Sequence, residues 1–247
     1  MRATLAGVRV VQLSDTHLAA TAGVPQPLRS LIDWIEGDPP DLVVHSGDVV
    51  YEDPDLAEDR AFAHSVISAL PCPVHVIPGN HDVGFFEGEH LARRLTAFRE
   101  TWGSDHFVVD GDGWRLVGID VYAVGDGADE AWIAGALETS DPLAVFVHQP
   151  IAGEPYDGWQ LPEAIRARCS ELLDGRDVRL VASGHRHCAV ARRGPSGATH
   201  VWAPSATLTG SRRHHGGGDP SPGAVEYQFD ADGQWTHRFV SAADPVS

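Results

Sequence analysis

Along this chain the apolar residues fall into short, nearly unbroken runs instead of alternating with polar ones. Runs rich in Val, Ile and Leu occupy 8–13, 41–46, 73–78, 115–120, 143–148 and 178–183, each bounded by Pro, Gly or Asp. A run of this length without a polar face reads as a strand buried on both sides. Between several of these runs apolar positions recur at helical spacing, near 27–37, 55–70, 88–101, 129–138 and 160–174. Strand and helix in alternation predict an α/β fold. Past residue 185 the helical spacing stops. Segments 187–193, 199–203, 224–230 and 235–240 read as strands joined by turns such as Gly194-Pro195-Ser196-Gly197 and Asp232-Gly233. The expectation there is an antiparallel sheet without helices. No internal repeat is visible, and the one low-complexity stretch, Arg212 to Pro220, reads as a solvated loop, the alternative being that His214 and His215, beside Arg212 and Arg213, reach a phosphate.

Composition narrows the function classes. The 247 residues, 43% of them hydrophobic, suffice for a large core, and a single domain over 1–247 is expected. All 18 basic residues are arginine, which excludes lysine Schiff-base chemistry and a lysine-bearing phosphate loop. Against 35 acidic residues they leave a net charge of −17. That argues against a duplex nucleic-acid partner, whose binding rests on neutralised phosphates, although bound cations in a pocket would still attract a small phosphate. No apolar run reaches the ~18–20 residues of a membrane span, and no signal peptide or membrane partner is expected. Cys72, Cys169 and Cys188 are odd in number and far apart, so a disulfide framework is not expected and a reducing, cytoplasmic setting is.

Five blocks carry the candidate chemistry: Asp15-Thr16-His17, Gly47-Asp48, Gly79-Asn80-His81-Asp82, His148, and Gly184-His185-Arg186-His187. Each falls at or just past the C-terminal end of a predicted strand, where ligand crevices form in α/β sheets. Alone, an Asp after a strand is ordinarily a turn or capping residue, and a strand-end His is ordinarily a satisfied core residue. Together they read as a metal site. Carboxylate, imidazole and amide-oxygen donors without cysteine suit Mn, Fe or Zn. Their number implies two ions, which in two-metal phosphatases sit ~3.5–4 Å apart. His45 and His75, inside apolar strands, read as core or supporting hydrogen-bond partners. Cys188 reads as a small buried apolar residue whose thiol, on a strand, points away from His187.

In their order the blocks resemble the calcineurin-like metallophosphoesterase superfamily, whose pattern is D-x-H, G-D, G-N-H-D/E, H and G-H-x-H, over roughly residues 8 to 230. More loosely, the compact length and the late Ser221-Pro222-Gly223 run into a terminal strand pair are similar to bacterial class III cyclic-nucleotide phosphodiesterases. The resemblance implies a four-layer α-β-β-α sandwich of two mixed sheets, with the site at the edge where the sheets meet. It implies that Asp15, His17, Asp48 and His187 hold one metal and that Asp48, Asn80, His148 and His185 hold the other, with Asp48 as the bridge. Asp48 and His81 are then the catalytic residues, and His81, beside Asn80, contacts the phosphate and assists the leaving oxygen. The reaction implied is hydrolysis of a phosphodiester, a 3',5'-cyclic nucleotide among the candidates, by attack of a metal-bridging hydroxide. A phosphomonoesterase or nucleotidase on the same dinuclear centre is the alternative. A non-catalytic scaffold is the rival from another class, and the absence of any substituted donor disfavours it. The partner expected is a small phosphoester, with a homodimer compatible as the assembly.

Two positions depart from the pattern. Many members place a carboxylate three residues after the bridging Asp, where this chain has Tyr51, followed by Glu52 and Asp53; many follow the lone His with a second His, where this chain has Gln149. In the Gly/Pro-rich stretch after His148, Tyr156, Asp157, Trp159 and Gln160 are placed to meet a ring-bearing leaving group, and Trp159 is the named substrate contact. The equal alternative is that Trp159 packs the loop down. Phe85 and Phe86 either wall the pocket or staple the following helix.

Overall fold

The computed structural model describes residues 7–245 apart from 52, 85, 87–89, 126, 153–159 and 211–216. In chain order the elements are β1 (Val8–Leu13), α1 (Gln26–Gly37), β2 (Leu42–His45), α2 (Ala57–Ile67), β3 (Val74–Val76), α3 (Asn80–Val83), α4 (Leu91–Trp102), β4 (Phe107–Gly111), β5 (Trp114–Gly118), a 3-10 turn (Val121–Ala123), α5 (Gly127–Ala136), β6 (Leu143–Phe146), α6 (Glu163–Leu173), β7 (Val178–Ser183), β8 (Val190–Arg193), β9 (Thr199–Trp202), β10 (Gly223–Phe229) and β11 (Trp235–Ser241). Two mixed sheets result, with strand orders β11-β10-β1-β2-β3 and β4-β5-β6-β7-β9-β8.

The unbroken apolar runs follow from burial on two sides. Val10, Leu42, Val44, Val225, Tyr227 and Phe229 of the first sheet pack between the sheets against Trp114, Leu116, Phe146, Leu180 and Val201 of the second. Their immediate neighbours Val11, Val43, Val117, Val145 and Val181 turn outward and join a second cluster with residues of the helices. Because strand side chains alternate faces, a sheet covered on both sides needs apolar residues at every position. On α1, Leu28, Leu31, Trp34 and Ile35 are buried, the spacing of a single apolar stripe. Cys169 and Leu172 of α6 share a buried cluster with Val145 and Val147 at β6. The layers are therefore helix, sheet, sheet, helix. Among the described residues no helix is long and apolar enough to cross a membrane.

The C-terminal part does not form a sheet of its own. β9 pairs in parallel with β7, with β8 outside it, and β10 inserts antiparallel between β1 and β11. Alternation along a strand shows which residues face one way but not which sheet the strand joins, so the expectation of a separate antiparallel sheet is corrected. β4, absent from the sequence expectation, hairpins with β5 through Asp112 and Gly113, both at positive φ.

Near the C-terminal end of β5 lies a buried carboxyl pair. Asp120 Oδ1 accepts from the Tyr122 amide at 2.8 Å, and the Asp105 charge acts on the Asp120 carboxyl. Arg99 Nε donates to Asp105 at 2.5 Å and His106 Nδ1 lies 2.7 Å from it. Burial first, then the Asp105 charge, pushes the Asp120 carboxyl well above the ordinary range. The folded chain thus keeps a proton that the unfolded chain releases near pH ~4, so this group costs stability increasingly as pH rises above that value. Asp120→Asn has no proton to retain and keeps the oxygen that accepts from Tyr122. Its stability relative to wild type is expected to rise between pH 4.5 and pH 8, measured by denaturant unfolding; a difference that does not change with pH rules this out.

Candidate metal centre

All five blocks lie at the C-terminal ends of parallel strands along one edge of the sandwich. Asp15 follows β1, Asp48 follows β2 and Asn80 follows β3 in the first sheet, while His148 follows β6 and His185 follows β7 in the second. The seven predicted donors are thereby brought together from both sheets.

The donors form two adjoining groups. His187 Nε2 lies 3.1 Å from Asp15 Oδ1 and 3.1 Å from His17 Nε2, and His17 Nε2 is 4.0 Å from Asp48 Oδ2. On the other side His148 Nε2 is 3.3 Å from Asp48 Oδ1 and 3.2 Å from Asn80 Oδ1. The His185 ring stands 5.1 Å from the His148 ring, and Asp48, His148 and His185 offer donor atoms within 4.8 Å of one another. Asp15, His17 and His187 form a second such set, and His17, Asp48 and His81 a third. Donors sharing one ion at ~2.1 Å sit about 3.0–3.4 Å apart, so the shortest of these spacings fit a cation held between them. Asp48 turns one oxygen to each group.

The backbone is shaped for this convergence. Asp15, His17, Asp48, His185 and His187 all have φ between 45° and 67°, the left-handed region that costs a side-chain-bearing residue about 1 kcal/mol or more. Among the described residues, Asp112 is the one other non-glycine with positive φ. Close approach finishes the packing. A Cβ on Gly184 would overlap Ser14 Oγ and Asp15 Oδ2, and one on Gly79 would overlap Asp48 Oδ1 and its amide nitrogen.

Hydrogen bonds fix the tautomers. His148 Nδ1 donates to the Ser46 carbonyl at 2.8 Å, which turns its Nε2 toward Asp48. His45 Nδ1 accepts from the Gly47 amide at 3.2 Å, so its Nε2 carries the proton and donates to Thr16 Oγ1 at 3.0 Å. Thr16 in turn donates to the Val49 carbonyl at 3.1 Å. Burial lowers His45 to about 3, keeping it neutral for this task. It supports the site without entering a donor set, as its place in an apolar strand predicts. His75 instead stacks on Phe107 at 4.7 Å.

Burial alone would raise the Asp15 and Asp48 carboxyls, yet both are held below the ordinary range. His187, His148 and His17 outweigh burial at Asp15, and His148 and His17 do so at Asp48. In return, Asp48 lifts His148 to about 9 against its burial. His17, where burial dominates, falls to about 4. Two buried carboxylates held ionised among imidazole donors make a cavity that favours cations.

Several supporting residues were not read from the sequence. Asp82 accepts from the amides of Asp48 (2.8 Å), Val49 (3.0 Å), Val50 (3.2 Å) and Gly79 (2.9 Å), clipping two blocks together; burial and the Asp48 charge push its carboxyl up to about 7. A one-way relay also reaches Asp15. Tyr227 donates to Gln12 Oε1 (2.7 Å), Gln12 Nε2 to Ser46 (2.7 Å), Ser46 to Ser14 (2.9 Å) and Ser14 to Asp15 Oδ2 (2.5 Å). Ser205 and Thr207 hydroxyls hold the carbonyls of Asp15 and Thr16. The available signal was the polar residues Gln12 and Ser46 inside the apolar runs 8–13 and 41–46.

His81 is half-buried; its amide donates to Asp48 Oδ1 at 2.7 Å, and its Nδ1 bonds the Tyr51 carbonyl. Phe86 stacks on Tyr122 at 4.5 Å, whose hydroxyl accepts from Gln149 Nε2 at 3.1 Å. Cys188 is buried, at a bend and not within a strand. Trp159, Tyr156, Asp157, Phe85, His214 and His215 lie outside the described residues.

Residues 8–189 match the family described as calcineurin-like phosphoesterase. The chain is 28% identical over 201 residues to the probable glycerophosphodiester phosphodiesterase GpdQ of Arcobacter nitrofigilis, covering 72% of this chain and 71% of that protein. It is 28% identical over 200 residues to the probable cyclic nucleotide phosphodiesterase of Rhodococcus erythropolis, covering 72% of this chain and 64% of that one. In structure it is similar to a dimetal phosphatase from Danio rerio, with a TM-score of 0.67 at 14% identity over 97% of this chain and 98% of that one. With the family match spanning the strands that present all five blocks, the chain belongs to the calcineurin-like phosphoesterase family.

Proposed function

We propose that the chain, acting as a single domain over 1–247, hydrolyses a small phosphodiester at a dinuclear centre holding Mn, Fe or Zn. The observation that carries this reading is Asp48, whose two oxygens face two separate donor groups. Asp15, His17, Asp48 and His187 would hold one ion; Asp48, Asn80, His148 and His185 would hold the other. Such ions supply Lewis acidity to the phosphoryl oxygens and make water a nucleophile at neutral pH.

The remaining work falls to side chains. His81 and His187 are half-buried while His17, His148 and His185 are buried; His187 turns its Nε2 to Asp15, so the His81 ring is the one placed to meet a phosphate. Because a carbonyl only accepts, the bond to Tyr51 puts the proton of His81 on Nδ1. That leaves Nε2 for the substrate, and when the ring is charged its Nε2 proton is donated to a phosphoryl oxygen or passed to the leaving oxygen. Asn80 turns its oxygen to His148, leaving its amide nitrogen for a phosphoryl oxygen. Glycerophosphodiester and cyclic-nucleotide cleavage, the activities in the names of the two bacterial relatives, both break a phosphodiester, which supports the diester class. Free Cys72, Cys169 and Cys188 suit a reducing, cytoplasmic setting.

The test is turnover of bis(p-nitrophenyl) phosphate against p-nitrophenyl phosphate by metal-stripped protein reconstituted with manganese. A higher kcat/KM for the diester is expected. Preference for the monoester would move the reading to a phosphatase or nucleotidase.

A further inference from the structure

The position three residues past Asp48 does two separable things. Its main-chain carbonyl takes the Nδ1 proton of His81, so orienting that ring needs nothing from the side chain. The side chain itself is large, aromatic and 42% exposed, in a chain whose other aromatic residues near the centre, such as Phe86 and Tyr122, pack onto each other. Its ring meets the His17 ring edge-on at 5.9 Å, and His17 in turn meets His81 at 4.7 Å. Among the described residues no hydrogen bond is made by its hydroxyl.

We infer that the Tyr51 ring is a specificity-determining wall for the organic group on the phosphorus, favouring substrates with a flat aromatic or heteroaromatic ester group over those with small alkyl ones. This rests on the reading of a phosphoester site above. A phosphate contacting His81 brings its ester oxygen to the residue that Tyr51 holds, and the attached carbon is then carried toward the exposed ring. An aromatic face there gains from stacking a planar group and gains little from a methyl group. The loss of ordering on binding is small, because a Tyr side chain has only two torsions to fix.

The experiment is calorimetric binding of phenylphosphonate and methylphosphonate to the manganese-loaded protein, in wild type, Tyr51→Ala and Tyr51→Phe. The two probes share the head group that would meet the metals and differ only in the organic group. Wild type is expected to bind phenylphosphonate about fivefold to tenfold more tightly; Tyr51→Ala should lose that ratio and Tyr51→Phe should keep it. An unchanged ratio in Tyr51→Ala overturns the inference. Equal weakening of both probes also overturns it, since the residue would then act through the centre and not as a wall. Binding of neither probe to the wild-type protein would instead remove the phosphoester site itself, and this inference with it.

Discussion

Asp48→Ala is expected to abolish stable loading of both metals and to lower turnover by about a thousandfold or more. No other donor faces both groups: one Asp48 oxygen lies 4.0 Å from His17 Nε2 and the other 3.3 Å from His148 Nε2. Removing it takes an anionic ligand from each ion at once and leaves Asp15 as the sole carboxylate among the six remaining donors. The loop itself should survive, because residues 48–50 hang from the Asp82 carboxylate and Gly47 from His45. The His81 amide, however, loses its acceptor, at a cost of about 1 kcal/mol for a half-buried donor left unmade. Asp48→Asn retains an oxygen for that amide and separates folding from loading. Metal content per chain, a thermal melt and kcat, measured on both variants, decide the matter. A folded Asp48→Ala protein that still holds two metals, or keeps more than roughly a tenth of wild-type kcat, sinks the bridging role.

His81→Ala should behave in the opposite way, retaining both metals while kcat falls by about a hundredfold to ten-thousandfold. Its ring is held by the Tyr51 carbonyl and its amide by Asp48, so truncation removes the ring but leaves the α3 backbone bond in place. If the ring protonates the leaving oxygen, the loss should shrink for nitrophenyl esters, which depart without help, and grow for alkyl esters. If it only stabilises phosphoryl oxygens, both classes lose equally. Loss of a metal, or an unchanged kcat on alkyl and aryl esters alike, contradicts a role confined to the substrate.

Much of this was legible in the chain because double-sided burial and convergent donors leave strong local marks. Val10 and Val11, or Val44 beside Val43, are apolar neighbours only because each faces a different hydrophobic layer. The five blocks were readable because each side chain has specific chemistry and follows a strand end. What escaped depends on partners far away in sequence. Nothing near residue 199 says that Thr199–Trp202 lies parallel to β7, since register between distant strands is set by tertiary burial. The strand Phe107–Gly111 was missed although the Asp112-Gly113 turn after it is a hairpin signal; its half-buried edge pattern dilutes the apolar run. Asp82 was read as the end of a motif, yet its task, four amide bonds to two separate loops, becomes visible only when those loops meet. Tyr51 looked like a lost carboxylate, whereas its main chain provides the orienting acceptor.

The relay from Tyr227 to Asp15 gives the C-terminal strands a stake in the chemistry. A chain cut after His187 would keep all seven donors. It would lack Tyr227, which anchors Gln12 across 215 positions of sequence, and Ser205 and Thr207, which hold the carbonyls beside the first donor. Transplanting this centre to a smaller scaffold would therefore fail if only the motif loops were grafted. β10 must travel with them, because the alignment of Asp15 is inherited from a hydroxyl on the far side of the chain.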